Sequence, residues 1–215
     1  CFNDSHDLFF VSLKISKNNF SFKEICNLFL LTANNNHFKA MRLNQDFYQQ
    51  HVVSVAKELL GKKLIFKGTV GIITETEAYR GADDEASHAY KGMTPRSKIM
   101  FAAPGRSYVY MIYGMYYCLN IVCESSGQAA AVLLRGLQFP KIHCNGPGKL
   151  CRHLGITTEH NNKNLLRCKE IYVAEGLANP AFQQTQRIGI RKAKDKLWRF
   201  VLKDPITDFT SIVGL

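Results

Sequence analysis

Two runs of alternating residues on either side of one glycine constrain the fold of this chain more than any other feature. Ser107 to Ile112 and Met115 to Val122 alternate with a period of two, and Gly114 lies between them. This period is typical of β-strands, and glycine readily adopts the positive φ that a tight hairpin turn requires. The pattern therefore predicts an antiparallel hairpin with Tyr108 and Tyr110 on the same face.

Tyr113 directly precedes the turn glycine, and its position leaves two interpretations of the aromatic residues in this hairpin. Aromatic side chains on a hairpin most often belong to the core, which is the first interpretation. A tyrosine beside the turn is instead expected at an exposed tip, where it could enter a stack of bases as a wedge. A tyrosine on the buried side could provide a platform on which a base stacks.

The other patterns predict a mixture of strands and helices. Further strands are expected at Lys63–Phe66, Val70–Tyr79, Ala130–Leu137 and Leu197–Val201. Helices are expected at Asp46–Leu60, at Lys149–Leu154 and, as a short acidic helix start, at Asp83–His88. Because strands and helices do not alternate as in βαβ units, we predict the α+β class.

Residues 1–40 differ from the rest of the chain, because they are rich in Asn, Ser and Phe and contain the break Asn34-Asn-Asn36. Met41 directly precedes the first well-patterned element. We expect residues 1–40 to be an extension outside the folded domain, which would comprise residues 41–215. The alternative is a genuine N-terminal helix, since Phe22 to Leu30 has some helical spacing.

The charge balance favours a polyanionic partner. The chain has 28 Lys and Arg residues against 17 Asp and Glu residues, with a net charge of +11. A surplus of this size is typical of proteins that bind nucleic acid or an anionic membrane surface. Six basic residues and one acid lie between Arg187 and Arg199. That run is either a solvated face or a surface that contacts phosphates.

The cysteine spacing and the hydropathy argue against a zinc site and a membrane span. The seven cysteines form no Cys-x-x-Cys pair and no paired Cys/His spacing, so we expect no metal. Reduced thiols, several of them in the core, are expected, as in a cytosolic protein. No apolar run approaches the roughly 20 residues of a membrane-spanning helix, and the first residues lack the features of a signal peptide.

Two glutamates and a tyrosine share one face of the predicted strand Val70–Tyr79. With a period of two, Glu75, Glu77 and Tyr79 point to the same side. One interpretation is a solvated strand face. The other is a glutamate at the edge of an apolar pocket, where it would act as a general base.

Two polar residues lie within apolar strands and need partners. Arg135 is a lone charge in the strand Ala130–Leu137, and a charge in such a place must be paired. Glu77 is the expected partner. Asn120 lies among apolar residues of the hairpin, so its amide is either satisfied in the core or directed into a pocket.

Several motifs in order along the chain resemble the alkyladenine (3-methyladenine) DNA glycosylase family. The resemblance extends from about Arg42 to about Val201 and does not cover residues 1–40. The motifs are Glu75-Thr-Glu-Ala-Tyr79, Asp84-Glu-Ala-Ser-His88, Thr94-Pro-Arg96, Tyr108-Val-Tyr-Met-Ile-Tyr-Gly-Met-Tyr-Tyr-Cys-Leu-Asn120, Leu133-Leu-Arg135 and Asn145-Gly-Pro-Gly-Lys-Leu-Cys151. The resemblance implies a single compact α+β domain with a curved, mostly antiparallel sheet, surrounding helices and a protruding β-hairpin.

The resemblance also implies a role for individual residues. Glu77 matches the catalytic base that activates water, and Arg135 and the carbonyl of Ile188 match the groups that hold this water. The walls of the base pocket match Tyr79, His88 and Tyr110, and Asn120 matches the amide that screens purine substituents. Tyr113 matches the side chain that fills the gap in the DNA stack, and Met100 matches a residue that lines the groove. The expected contacts to the DNA backbone are Arg96, Lys149, Arg187, Arg191 and Lys192.

The activity that the resemblance implies is that of a monofunctional DNA glycosylase in base excision repair. It would flip alkylated or deaminated purines out of duplex DNA and hydrolyse the N-glycosidic bond without a metal or organic cofactor. We expect a monomer that acts on double-stranded DNA, in the cytoplasm or nucleoid of a bacterium or in a eukaryotic nucleus.

Two other functions are compatible with the residues. A nucleic-acid-binding module of the same shape would bind without catalysis, although the presence of Glu77 argues against it. An enzyme that acts on RNA is the second alternative, because basic charge and stacking aromatics do not distinguish DNA from RNA. A zinc deaminase is excluded, since the chain lacks the His-x-Glu and Pro-Cys-x-x-Cys motifs.

Overall fold

The computed structural model describes residues 41–204 and 206–213 of the chain. The predicted extension at residues 1–40 lies outside the described residues. The described α-helices are α1 Gln45–Gln49, α2 Val52–Glu58, α3 Pro147–Leu154 and α4 Phe209–Val213. The strands are β1 Lys63–Phe66, β2 Thr69–Arg80, β3 Ser107–Ile112, β4 Tyr116–Val122, β5 Ala130–Gln138, β6 His143–Asn145, β7 Ile171–Ala174, β8 Phe182–Thr185 and β9 Arg199–Leu202. Two short 3₁₀ helices lie at Lys98–Phe101 and Thr158–His160.

All nine described strands belong to one curled antiparallel sheet. The main order is β3-β4-β5-β2-β1-β7, while β6 pairs with β5 and β9 lies between β2 and β8. The sheet and the few helices confirm the predicted α+β class with a curved, mostly antiparallel sheet. The hairpin β3–β4 forms one edge of this sheet.

Strand β2 is the centre of the sheet and carries both glutamates of the motif. It pairs with β5 along one side, and with β1 and then β9 along the other. The register with β5 shifts on both sides of Glu75. Such an irregularity bends a strand and increases its local twist. The change of partner from β1 to β9 occurs in the same place, so Glu75 and Glu77 face residues of both β5 and β9.

Two hydrophobic clusters cover opposite faces of the hairpin and its neighbour β5. The larger contains Val109, Leu119 and Val132, together with α2 and α3. The smaller contains Tyr108 and Ala131, together with other residues from the 89–101 segment. Alternating residues of one strand therefore enter different clusters, as the period of two predicts. The smaller cluster forms the base of the site described below.

The single helix predicted at Asp46–Leu60 is wrong, because the chain forms two helices there. Gln50 is extended at the end of α1, and the chain restarts at His51, whose side chain accepts a hydrogen bond from the backbone of Val53. Glu124 also accepts a hydrogen bond from the Val52 amide at 3.0 Å. A carboxylate at this position stabilises the first turn of a new helix. Glu124 is 72 residues away in the chain, so the local sequence pattern could not predict this contact.

The helix start predicted at Asp83–His88 is also wrong, since this segment consists of turns. The carboxylate of Asp84 accepts hydrogen bonds from the Arg80 and Ala86 amides, and it pairs with Arg187. A short side chain that bonds to nearby amides in this way competes with helix formation. The strands β6, β7 and β8 were not predicted, and the last predicted strand is displaced slightly to β9.

The described cysteines are free thiols, as predicted. Four are buried and one is partly buried: Cys118, Cys123, Cys144, Cys151 and Cys168. Within residues 41–204 and 206–213, no group of three or more His, Cys, Asp or Glu side chains is arranged to hold a metal ion. Among these same residues, no helix has the length and apolar character needed to cross a membrane.

Candidate active site

The hairpin projects the most exposed aromatic side chain among the described residues. Strands β3 and β4 pair in register up to Ile112 and Tyr116. The turn has a positive φ at both Tyr113 (52°) and Gly114 (69°), and Tyr113 is 86% exposed. A positive φ is uncommon for a residue other than glycine. The exposed tip that the sequence predicted for Tyr113 is therefore confirmed.

A cavity of about 450 Å³ lies beside this hairpin. Its volume is within the range of pockets that bind small molecules. Its lining includes every residue predicted for the base pocket, together with Arg135 and the tip tyrosine: Tyr79, His88, Tyr110, Tyr113, Asn120, Arg135 and Ile188. Tyr108, Cys118 and Leu133 also line the cavity, although the sequence assigned them no role.

Aromatic rings in contact with each other form one wall of the cavity. The ring of His88 lies 4.8 Å from that of Tyr110, and the ring of Tyr108 lies 5.1 Å from it. Nδ1 of His88 is 3.0 Å from the Tyr108 hydroxyl. Burial and the nearby Arg96 guanidinium lower the pKa of His88 to about 4. His88 therefore presents a neutral ring at neutral pH, and the residue is exposed to solvent.

Glu77 is fully buried, which overturns the interpretation of a solvated strand face. Its Oε1 accepts a hydrogen bond from the Ile188 amide at 2.7 Å, and its Oε2 accepts one from the Tyr79 hydroxyl at 2.8 Å. Burial raises the pKa of Glu77, and the charge of Arg135 and these two hydrogen bonds limit the rise. A carboxylate has about four lone-pair positions, and these two hydrogen bonds do not use all of them.

Arg135 pairs with Glu77, as predicted, but its shorter contact is with the other glutamate. Its Nε lies 3.4 Å from Oε1 of Glu77 and 2.9 Å from Oε1 of Glu75. The same oxygen of Glu75 accepts a hydrogen bond from Nε of Arg199 at 2.6 Å. Sequence reasoning assigned no role to Glu75 in holding Arg135, and it grouped Arg199 with the phosphate-binding run.

Both interpretations of Asn120 are correct, because its amide is hydrogen-bonded in the core and the residue also lines the cavity. It is buried, and its Nδ2 donates to the carbonyl of Tyr108 at 3.0 Å. It also lines the cavity. The hydrogen bond fixes the orientation of the amide in the wall of the cavity.

Met100 requires a correction, because it is not on a surface that could line a DNA groove. It is only 2% exposed and belongs to a short 3₁₀ helix. It packs in the smaller hydrophobic cluster with Tyr108 and Val122, and it contributes to the lining of the cavity. The inward orientation removes the apolar surface of this long side chain from water, which is favourable.

Arg187 requires a second correction, because it cannot contact a phosphate in this structure. It is 4% exposed and forms two hydrogen bonds with the carboxylate of Asp84, at 2.6 and 2.7 Å. The other residues predicted to contact the DNA backbone are exposed: Arg96, Lys149, Arg191 and Lys192. Of these, Lys192 also pairs with Glu85 at 2.9 Å, and Arg96 lies 4.9 Å from the ring of Tyr110.

Comparison with protein families identifies a match over most of the described residues. The family is described as "Methylpurine-DNA glycosylase (MPG)", and its model matches residues 46–205. This range contains all of the residues that form the cavity and the exposed hairpin.

Bacterial relatives show the same relationship, and three examples carry the name "Putative 3-methyladenine DNA glycosylase". A protein from Ehrlichia chaffeensis is 51% identical over 168 residues, which cover 75% of this chain and 93% of that relative. One from Rickettsia felis is 49% identical, with 78% and 97% covered. One from Wolbachia pipientis is 52% identical, with 74% and 88% covered. The chain therefore belongs to the methylpurine-DNA glycosylase family.

Proposed function

We propose that this protein is a monofunctional DNA glycosylase that hydrolyses the N-glycosidic bond of alkylated or deaminated purines in duplex DNA and leaves an abasic site. Membership of the methylpurine-DNA glycosylase family supports the class of reaction. One structural observation carries the proposal for this chain. The fully buried carboxylate of Glu77 contacts three residues that line the aromatic cavity: Tyr79, Arg135 and Ile188.

The shape of the site supports extrusion of the base from the helix. A base that is paired and stacked in a duplex cannot enter a cavity in the protein, so it must be flipped out at a cost of a few kcal/mol. Tyr113 at the exposed tip of the hairpin would fill the gap in the stack and offset this cost. Tyr79, His88 and Tyr110 line the cavity and would enclose the flipped base by stacking.

The environment of Glu77 supports its role as the base that activates water. Loss of the purine builds positive charge on the sugar, and a nearby carboxylate both stabilises this charge and accepts a proton from water. Arg135 and the carbonyl of Ile188 would hold the water. Because burial raises the pKa of Glu77, the ionised form required here is lost as the pH falls through that raised value.

The lining of the cavity also supports a monofunctional enzyme. A glycosylase that cleaves the DNA strand through a Schiff base needs a nucleophilic amine at the sugar. Among the described residues that line the cavity there is no lysine. Water activated by Glu77 is therefore the nucleophile, and no metal or organic cofactor enters the proposal.

The exposed basic residues support duplex DNA as the partner. Arg96, Lys149, Arg191 and Lys192 would contact phosphates and place the hairpin tip in the minor groove. We propose that the protein acts as a monomer, since one chain supplies the cavity, the exposed hairpin tip and these basic residues. Its site of action would be the cellular compartment that contains the DNA.

The proposal is tested by incubating the protein with duplex oligonucleotides that carry one hypoxanthine, ethenoadenine or 7-methylguanine. Alkali-labile breaks at the lesion are expected with the wild-type protein and not with Glu77→Gln. Glu77→Gln should still bind the lesion duplex, because the substitution leaves the cavity and the basic surface in place. Tight salt-dependent binding without breaks at any lesion would instead favour a binding module. Release of a damaged base only from a matched RNA oligonucleotide, measured by chromatography because alkali itself cleaves RNA, would favour the RNA enzyme.

A further inference from the structure

A buried ion pair lies against Tyr79, which lines the cavity, and the proposed mechanism makes no use of this pair. The side chains of Asp84 and Arg187 are both 0% exposed. They meet through two hydrogen bonds of 2.6 and 2.7 Å. Buried ion pairs are often replaceable by apolar residues without loss of stability, because desolvation offsets their attraction. Stability alone therefore does not account for this pair.

The guanidinium of Arg187 contacts the strand that carries the catalytic glutamate. Its Nη1 donates to the carbonyl of Ala78 at 2.9 Å, between Glu77 and Tyr79 in the chain. Its Cζ lies 4.6 Å from the centre of the Tyr79 ring. The Nε of Arg187 is buried without a hydrogen-bond partner among the described residues. Buried polar groups without a partner are few in native proteins, and each one needs a specific explanation.

The two members of the pair also belong to segments that complete the site. The residue after Arg187 is Ile188, whose amide donates to Oε1 of Glu77 at 2.7 Å. Asp84 accepts a hydrogen bond from the amide of Ala86 at 3.1 Å, in the segment that leads to His88. The ion pair therefore connects two parts of the site. One is the segment with the Ile188 amide, which donates to Glu77, and the other is the segment that leads to His88 in the wall of the cavity.

We propose that Asp84 and Arg187 form a positioning unit that holds the Ile188 amide against Glu77 and the Tyr79 ring against the flipped base. This inference rests on the proposed function. This positioning role replaces the phosphate contact predicted for Arg187, since the buried side chain cannot reach DNA. Neither residue touches the substrate, and their effect on the reaction passes through Glu77 and Tyr79.

The test uses the full chain with both charges removed together, as Asp84→Asn with Arg187→Met, so that no unpaired charge is left in the interior. The double variant is expected to excise the lesion about 10- to 100-fold more slowly in single turnovers, as misplacement of reacting groups by about 1 Å does. The Ile188 amide lowers the pKa of Glu77, so its displacement should move the acid limb of the pH–rate profile to higher pH.

A matched control removes another, partly buried ion pair that involves the same strand. Arg80→Met with Glu124→Gln breaks a pair at 3.0 Å that does not line the cavity. This control should lose stability but keep the wild-type acid limb. Arg187→Lys provides a second test that retains the charge and removes the contacts with Ala78 and Tyr79. It should change the rate and the acid limb in the same direction as the double variant.

The outcomes separate this inference from the proposed function. If the wild-type protein releases no base from any lesion, the proposed function fails. If the wild-type protein is active but Arg187→Lys and the double variant keep its rate and acid limb, the positioning role is overturned. The same conclusion holds if the double variant does not fold and Arg187→Lys behaves as wild type.

Discussion

At the scale of single residues, the site contains charged side chains that contact more than one group of opposite charge. One oxygen of Glu75 accepts hydrogen bonds from both Arg135 and Arg199, and Arg135 also contacts Glu77. Arg135, which the sequence paired with Glu77, is therefore held by the other glutamate of the motif, Glu75. A hydrogen bond to a charged group is worth about 1.5–3 kcal/mol, so Glu75 is expected to fix the position of Arg135.

Glu75→Gln should slow base excision by about tenfold at neutral pH, because about 1.4 kcal/mol of positioning energy is a factor of ten. The charge of Glu75 raises the pKa of Glu77. Its removal should therefore lower that pKa and move the acid limb to lower pH, opposite to the shift expected for the Asp84 and Arg187 variant. The pH–rate profile in single turnovers measures both effects. Glu159→Gln, at an exposed position, is the matched control, and an unmoved limb in Glu75→Gln would contradict the expectation.

At the scale of elements, the hairpin β3–β4 and the irregular strand β2 determine what the site can do. The hairpin carries one exposed tyrosine, Tyr113, at its tip. Tyr113 and other residues of the hairpin also line the cavity. Strand β2 changes its register with β5 on both sides of Glu75, and this directs both glutamates towards arginines of neighbouring strands. Each of the two elements can be tested by one substitution.

Tyr113→Ala should weaken extrusion of the base by about 1–3 kcal/mol, the value of one stacking contact. The substitution removes a side chain that is 86% exposed, so the fold should be unaffected. A fluorescent base analogue placed at the lesion measures the fraction flipped. Ile142→Ala, which truncates an exposed apolar side chain (47%) away from the cavity, is the control. Equal flipping by Tyr113→Ala and wild type would exclude the wedge.

Gly136→Ala should lower both stability and activity, because it overpacks the irregular part of the sheet. A Cβ at this position would overlap Oγ1 of Thr74 and lie 2.9 Å from Cβ of Glu75, and overpacking of this kind costs about 1–3 kcal/mol. Gly71→Ala is the control, since its Cβ would meet the Phe139 ring at 2.8 Å instead. Thermal unfolding should show a reduced stability in both variants, and excision assays should show a slower reaction only in Gly136→Ala. Equal rates in the two variants would argue against a role for the register shift.

At the scale of the whole molecule, the excess of positive charge is divided between the surface and the interior. Arg187 and Arg135 are largely enclosed and paired with carboxylates, so part of the basic composition serves the site. The exposed side chains of Arg96, Lys149, Arg191 and Lys192 are the proposed contacts with DNA, and Lys192 also pairs with Glu85. Net charge therefore predicts the class of partner, but it does not predict which residues bind the DNA.

The salt dependence of DNA binding should distinguish these two groups of charges. Removing one side chain that neutralises a phosphate should reduce the slope of log affinity against log salt by about 0.9. Arg191→Gln combined with Lys149→Gln is expected to reduce it by about twice that value. Lys169→Gln, an exposed residue close to β7 at the far edge of the sheet from the hairpin, should leave the slope unchanged. Binding titrations at several salt concentrations measure the slope, and equal slopes would remove these residues from the DNA interface.

The sequence alone determined the parts of this protein that depend on local patterns. The period of two placed Tyr108 and Tyr110 on one face of a hairpin, and the glycine at 114 placed Tyr113 at its tip. The alternation in β2 put two glutamates on one face, and a lone arginine in β5 implied a carboxylate partner. These features follow from backbone geometry and from the cost of an unpaired buried charge. Both can be inferred from the type and order of the residues.

Only the tertiary structure decided which polar groups meet across long separations in the chain. Arg187 turns inward because Asp84, 103 residues away, offers a buried partner. The first helix divides because Glu124 reaches the amide of Val52, and Met100 faces the cavity because a cluster packs around it. The free energy of such contacts depends on burial and on exact distances, and neither quantity exists until the sheet has folded.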